Sequence, residues 1–169
     1  MAYDLIIIGG GPAGVTAGIY AARQKLKTLL LTKSFGGQMA HKAVEIENYP
    51  GFEKISSVEL IDRFEKQVRS KDIEIKNEKV TKLSKEEFFN VFTEEGNVFQ
   101  AKAVIIATGA EPRKLGIKGE AEFMGKGVSY CPACDGPFFS QKKVAVIGGG
   151  EAGFETALFL ERYASEVVI

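Results

Sequence analysis

Short, continuous apolar runs alternate along this chain with stretches of small or polar residues. The first run, LIII at 5–8, has the pattern of a parallel strand buried on both faces. Glycines end it. Residues 13–23 then read as a helix of small residues, and 28–32 as a second buried strand. A strand–helix–strand unit this short crosses over in parallel, so the chain opens with a βαβ unit. A loop is predicted over 36–51. Ser56 and Glu59 make a capping box, and Leu60, Ile61, Phe64 and Val68 recur at helical spacing, which predicts a helix there.

The texture then changes. Segments 73–75, 80–83, 88–92 and 98–100 are short and lie between polar turns, the signature of a β-meander. Residues 103–107 return to the buried-strand pattern and end at Thr108 and Gly109. Segment 111–127, with Pro112 and four glycines, reads as a linker. Further on come a buried strand at 144–147, a helix at 152–163 and the opening of another strand at 166–169.

The pattern also repeats. LIIIGGGPAGVTAGIYAAR (5–23) superimposes without gaps on VAVIGGGEAGFETALFLER (144–162). A single repeat pair is not a solenoid; it implies two copies of one ligand-binding device. The predicted fold class is α/β, with two Rossmann-like βαβ starts and a β-meander between them.

Composition narrows the classes. Hydrophobic residues at 45% and charged residues at 26% suit a soluble globular domain and exclude disordered and fibrous chains. The 22 Lys and Arg balance 22 Asp and Glu, so no basic field exists to collect a phosphate backbone or anionic lipid, and nucleic acid and membrane are not expected partners. Residues 5–22 carry no charge and match a membrane span in length. Five glycines and Pro12 interrupt them, however, and Asp4 stands where a signal peptide carries Lys or Arg. Strand, turn and helix is the better reading, and the expected location is the cytoplasm.

Nine of the 19 glycines fall in two clusters: Gly9, Gly10, Gly11, Gly14 and Gly18, then Gly148, Gly149, Gly150 and Gly153. In the first, Gly9-x-Gly11-x-x-Gly14 follows a strand and opens a helix. The first glycine permits the tight turn, the second leaves room for a pyrophosphate, and the third lets helix and strand pack closely. The device recurs at Gly148, Gly150 and Gly153, and the pair points to dinucleotide sites. An acidic residue for a ribose hydroxyl is expected about 20 residues on. Thr32, Lys33 and Ser34 stand there instead, so a hydroxyl would have to serve.

Cys131 and Cys134 are the only cysteines and form one C-x-x-C pair. Zinc needs about four ligands; with one histidine, His41, and no second cysteine pair, zinc is disfavoured. A redox dithiol is favoured over two buried small hydrophobes. Asp135 has two readings, a proton shuttle for a thiolate or a turn former ahead of Gly136. His41 is read as a surface residue, and the Lys- and Glu-rich stretch 76–87 as a solvated face.

The blocks GGGPAG (9–14), GGQ (36–38), IENYPG (46–51), ATGA (107–110), CPACDG (131–136) and GGGEAG (148–153), in this order and spacing, resemble the low-molecular-weight thioredoxin reductases along the whole chain. The resemblance implies an FAD-binding domain at 1–112 in a three-layer ββα/βαβ arrangement with an inserted β-meander. It implies FAD on Gly9, Gly11, Pro12, Ala13 and Gly14, with Gly37, Gln38 and Asn48 along the flavin and Ala107, Thr108 and Gly109 brought to the cofactor. Residues 113–169 would hold the redox pair and the start of a second Rossmann-like domain, with NADPH or NADH on Gly148, Gly150, Glu151, Ala152 and Gly153.

The implied mechanism carries hydride from NADPH to FAD and electrons on to the Cys131–Cys134 disulfide. The resulting dithiol reduces a protein disulfide such as that of thioredoxin. Cys134 would be nearer the flavin, and Asp135 matches the family's acid–base aspartate. A homodimer is implied for the full-length protein.

Two departures matter. Pro132 gives C-P-x-C, which also looks like the flavoprotein of alkyl hydroperoxide reductase; that protein has a thioredoxin-like extension before its flavin strand, and the strand here starts at residue 5. The family's nicotinamide domain also continues past residue 169, so the chain is expected to be an N-terminal portion. A nucleotide-binding fragment without turnover is the competing reading. The residues that read a 2′-phosphate would follow Ile169, which leaves NADPH and NADH both open.

Overall fold

The computed structural model describes residues 2–41 and 45–169, with only the backbone of His41. The surface reading of His41 thus concerns a side chain outside the described residues. Two compact units are present, Met1–Glu111 and Pro112–Ile169.

In the first unit, β1 (Tyr3–Gly10), α1 (Pro12–Arg23) and β2 (Thr28–Phe35) form the opening βαβ. Strand β1 lies between β2 and β8 (Val98–Ile106) and is parallel to both, with Ile7 opposite Leu30 on one side and Ile105 on the other. A central parallel strand has no solvent face, which is why all of LIII is apolar: Leu5, Ile6, Ile7 and Ile8 are buried. Leu5 and Ile7 point into a core with Val15, Ala21, Leu30 and Val68, to which the helices contribute. Ile6 and Ile8 join Leu29, Leu31, Val91 and Ala101 on the opposite face. The uncharged stretch 5–22 is thus strand, turn and helix, and no helix among the described residues is long and apolar enough to cross a membrane.

Segment 36–51, read as loop, contains a 3-10 turn (Gly37–His41) and β3 (Glu45–Ile46), which pairs antiparallel with β4 (Ile55–Ser56). Helix α2 (Ser57–Arg69) starts at the predicted cap, where Ser56 Oγ accepts the Glu59 amide at 3.2 Å. Leu60 and Val68 are buried, and Ile61 and Phe64 pack against the same core.

Two elements correct the meander. Strand β5 (Glu74–Lys76) runs parallel to β2, with Ile75 opposite Leu30, so it closes a crossover through α2 rather than opening a meander. The predicted strands at 98–100 and 103–107 are one continuous strand, β8, since nothing in VFQAKAVII breaks extended backbone. Its first half pairs antiparallel with β7 (Phe89–Thr93) and its second half parallel with β1. Ala101, fully buried, faces Phe89 on one side and Tyr3 on the other. With β6 (Val80–Lys85) the sheet order is β5-β2-β1-β8-β7-β6. The Rossmann-like α/β class holds; the antiparallel ribbon is an extension of the parallel sheet through a shared strand.

The second unit has a short helix α3 (Pro132–Asp135) with a following 3-10 turn (Gly136–Phe139), then β9 (Lys143–Ala145), α4 (Glu151–Leu160) and β10 (Glu166–Val168). Strands β9 and β10 are parallel, and Val146, Ala157 and Leu160 form the small core with Val144, Phe159 and Val167.

Candidate functional site

The first glycine turn sits at the carboxyl end of β1. Gly9 has φ +117°, a left-handed conformation that L side chains rarely adopt, and a Cβ there would lie 2.7 Å from the Ala107 carbonyl carbon. Gly14 is buried, and a Cβ on it would lie 2.9 Å from the Gly9 carbonyl carbon and overlap its oxygen. Gly11 differs: its backbone is ordinary extended chain and a Cβ would meet only Gly37 Cα, at 4.0 Å. Gly9 and Gly14 are therefore glycines because of the protein's own packing. Gly11 faces open space at the N-terminus of α1, which has no side-chain cap and has Pro12 in its first turn. Exposed Pro12 and Ala13 continue this open end.

Two further blocks converge on the turn. Gly36 donates its amide to the Gly10 carbonyl at 3.0 Å, and Gly37 follows with φ +55° beside Gly11. Ala107 donates to the Ile8 carbonyl at 2.8 Å, and Gln38 Nε2 donates to the Ala110 carbonyl. Thr108 and Gly109 lie exposed between these anchors, Gly109 with φ +71°. The carboxyl ends of β1, β2 and β8 thus meet where the strand order reverses, the position at which open α/β sheets bind ligands. Asn48 is exposed in the segment that follows β3.

Of the two hydroxyls considered for a ribose, that of Thr32 is committed elsewhere. Thr32 is buried, its Oγ1 donates to the Ser34 carbonyl at 2.7 Å, and its side chain fills the space beside Gly10. Lys33 and Ser34 are the exposed residues there.

The second unit rebuilds the turn. Gly148 has φ +137°, and a Cβ on Gly153 would lie 2.8 Å from the Gly148 carbonyl carbon. Gly150 caps α4 in extended conformation, with Glu151 and Ala152 exposed in its first turn.

Cys131 and Cys134 are joined by a disulfide with Cα atoms 5.3 Å apart. Cys131 caps α3, its Sγ accepting the Cys134 amide at 3.2 Å, and Pro132 occupies the first helical position, where no amide is needed. Cys134 is exposed and Cys131 half-buried. Asp135 does not cap the 3-10 turn that follows it. Its Oδ2 accepts the Ser129 hydroxyl at 2.5 Å, and the same Ser129 Oγ accepts the Cys131 amide at 3.0 Å.

One buried carboxylate was not singled out in the sequence. Glu120 accepts the Leu115 and Gly116 amides at 2.8 and 2.6 Å, together with the Tyr130 hydroxyl. Backbone hydrogen bonds, that of Leu115 foremost, hold its carboxyl below the usual carboxylate range. The signal in the sequence was slight, an acid beside Gly119 in a glycine-rich stretch.

Residues 3–169 match the family described as pyridine nucleotide-disulphide oxidoreductase. The chain belongs to that family. Within this oxidoreductase family, it is 44% identical over 168 residues to thioredoxin reductase from Listeria innocua, a match covering 99% of this chain and 52% of that protein. It is 46% identical over 170 residues to thioredoxin reductase from Treponema pallidum, covering 99% of this chain and 55% of the other. The crystal structure of thioredoxin reductase from Streptococcus pyogenes superimposes with a TM-score of 0.82 at 41% identity, over 98% of this chain and 54% of that one. The chain thus spans about half the length of the curated relatives it matches.

Proposed function

We propose that the protein is an FAD-dependent disulfide reductase of the thioredoxin reductase type, with NADPH or NADH as electron donor and thioredoxin or a similar small disulfide protein as substrate. The observation that carries this reading is the Cys131–Cys134 disulfide at the start of α3, with a carboxylate, Asp135, one residue beyond it. Two glycine turns of matching geometry in the same chain supply the nucleotide sites.

The residues present fit a dinucleotide on the first turn. Gly11 leaves clear the space that a Cβ would fill, and the uncapped amides opening α1 would hold a pyrophosphate there. Gly9, Pro12, Ala13 and Gly14 frame that space, and Gly37, Gln38, Asn48, Ala107, Thr108 and Gly109 are assigned to the remainder of the cofactor. FAD, when bound, supplies a two-electron acceptor. Gly148, Gly150, Glu151, Ala152 and Gly153 are assigned to the nicotinamide cofactor on the same argument.

Cys131 and Cys134 exchange with the substrate disulfide, and Asp135 takes and returns the proton that thiol and thiolate trade. A lone C-x-x-C pair suits the reducing cytoplasm, and a homodimer is the proposed assembly of the full-length protein. The test uses the intact protein loaded with FAD. Anaerobic NADPH should bleach the flavin, and thioredoxin disulfide should then be reduced. Bleaching without any disulfide reduction, in the presence of intact Cys131 and Cys134, would overturn the proposal.

A further inference from the structure

We propose that Ser129 is a positioning residue for the thiol–disulfide chemistry, holding the Asp135 carboxylate at the dithiol. The inference rests on the acid–base reading of Asp135 given above. Ser129 Oγ joins both partners: it donates to Asp135 Oδ2 at 2.5 Å and accepts from the Cys131 amide at 3.0 Å. A single hydroxyl, six residues before Asp135 in the chain, therefore ties its carboxylate to the backbone of the first redox cysteine. The Asp135 amide closes the arrangement from the other side by donating to the Cys131 carbonyl at 3.0 Å. Tyr130, between Ser129 and Cys131, is held separately by Glu120, so the approach to Cys131 is anchored at two consecutive side chains.

One thiol of the reduced pair passes its proton to Asp135 and attacks a substrate sulfur as thiolate. The substrate S–S bond breaks, and its departing sulfur takes the proton back from Asp135. The second thiol then loses its proton to Asp135 the same way and attacks the protein sulfur of the mixed disulfide; the protein–substrate S–S bond breaks, and the second substrate sulfur leaves with the proton that Asp135 returns. Cys131 and Cys134 end as a disulfide, and the substrate gains two electrons and two protons. In this scheme Ser129 exchanges no proton; it restricts where the carboxylate stands.

The experiment follows reoxidation of the pre-reduced, intact protein by glutathione disulfide, in Ser129→Ala, Ser129→Thr, Asp135→Asn and the Ser129→Ala/Asp135→Asn double variant. Ser129→Ala should slow reoxidation roughly tenfold, part of the ~10²-fold that a misplaced group costs. Ser129→Thr, which keeps the hydroxyl, should stay within about twofold of the unmodified protein, and in the Asp135→Asn background Ser129→Ala should add less than about twofold. The equilibrium constant with glutathione should be unchanged in Ser129→Ala. An undiminished effect of Ser129→Ala in the Asp135→Asn background, or a shifted equilibrium constant, overturns the proposal and assigns Ser129 to the Cys131 backbone alone. An unaltered rate in Asp135→Asn itself removes the acid–base reading, and this inference with it.

Discussion

Gly14 packs directly on the carbonyl group of Gly9: a Cβ on Gly14 would lie 2.9 Å from the carbonyl carbon and overlap the oxygen. Gly11, between them, faces open space. On the proposed function, stability and cofactor binding should therefore be separable in one six-residue turn. Gly14→Ala should destabilise the protein by about 1–3 kcal/mol or more, since backbone rather than a flexible side chain must shift. Gly11→Val should leave unfolding within about 1 kcal/mol of the unmodified protein and abolish flavin retention, because its side chain takes the pyrophosphate's space. Urea midpoints and bound FAD per chain measure the two effects. Normal FAD content in Gly11→Val places the site elsewhere.

The cysteine pair carries a second expectation. On reduction, the protein should gain two titratable thiols, from Cys131 and Cys134. Cys131→Ser and Cys134→Ser should each lose disulfide reductase activity, because either leaves a thiol with no partner to complete exchange. Flavin bleaching by NADPH should survive both changes. Full reductase activity in either variant leaves the pair as a structural bystander.

Asp135→Asn should slow the sulfur step about 10²-fold, the usual contribution of a positioned acid or base, while FAD content stays unchanged. Rapid-mixing kinetics separate the flavin and sulfur steps. A proportional loss of bound FAD would mean that Asp135 supports the fold instead.

Glu120 predicts a pH effect. Its native carboxyl is held below the usual range, chiefly by the Leu115 amide, so the ionised form is favoured in the folded state. Stability from this group is then fully present above the unfolded value and lost as the pH falls through the lowered native value. Glu120→Gln should be less stable near neutral pH and flatter in its acid response. Urea midpoints across that acid range test it; parallel curves for the two proteins would remove Glu120 from the account.

Much of the fold was legible because its signals are local. The turn of Gly9, Gly11 and Gly14 and the pair Cys131 and Cys134 each lie within six residues, and their spacing reflects backbone geometry that forms wherever it occurs. The cap at Ser56 and the buried run of β1 belong to the same class: one needs a single turn of helix, the other only to be covered on both sides.

Residues far apart in sequence escaped that kind of reading. Strand β5 carries short-strand texture whether it pairs with β2 or with β6, and its parallel partner follows only from where α2 delivers it. Strand β8 became one element because β7 and β1 accept its two halves. Thr32, a plausible ribose ligand by position, lies beneath Gly10 with its hydroxyl spent on Ser34. The sequence by itself determined the two glycine turns, the dithiol and the α/β class, since each depends on backbone conformation or burial pattern within a short window. Only the tertiary structure decided that Gly37 borders Gly11, that Ser129 holds Asp135 and that Glu120 is buried, because those outcomes depend on which polar groups are left in reach once the chain has packed.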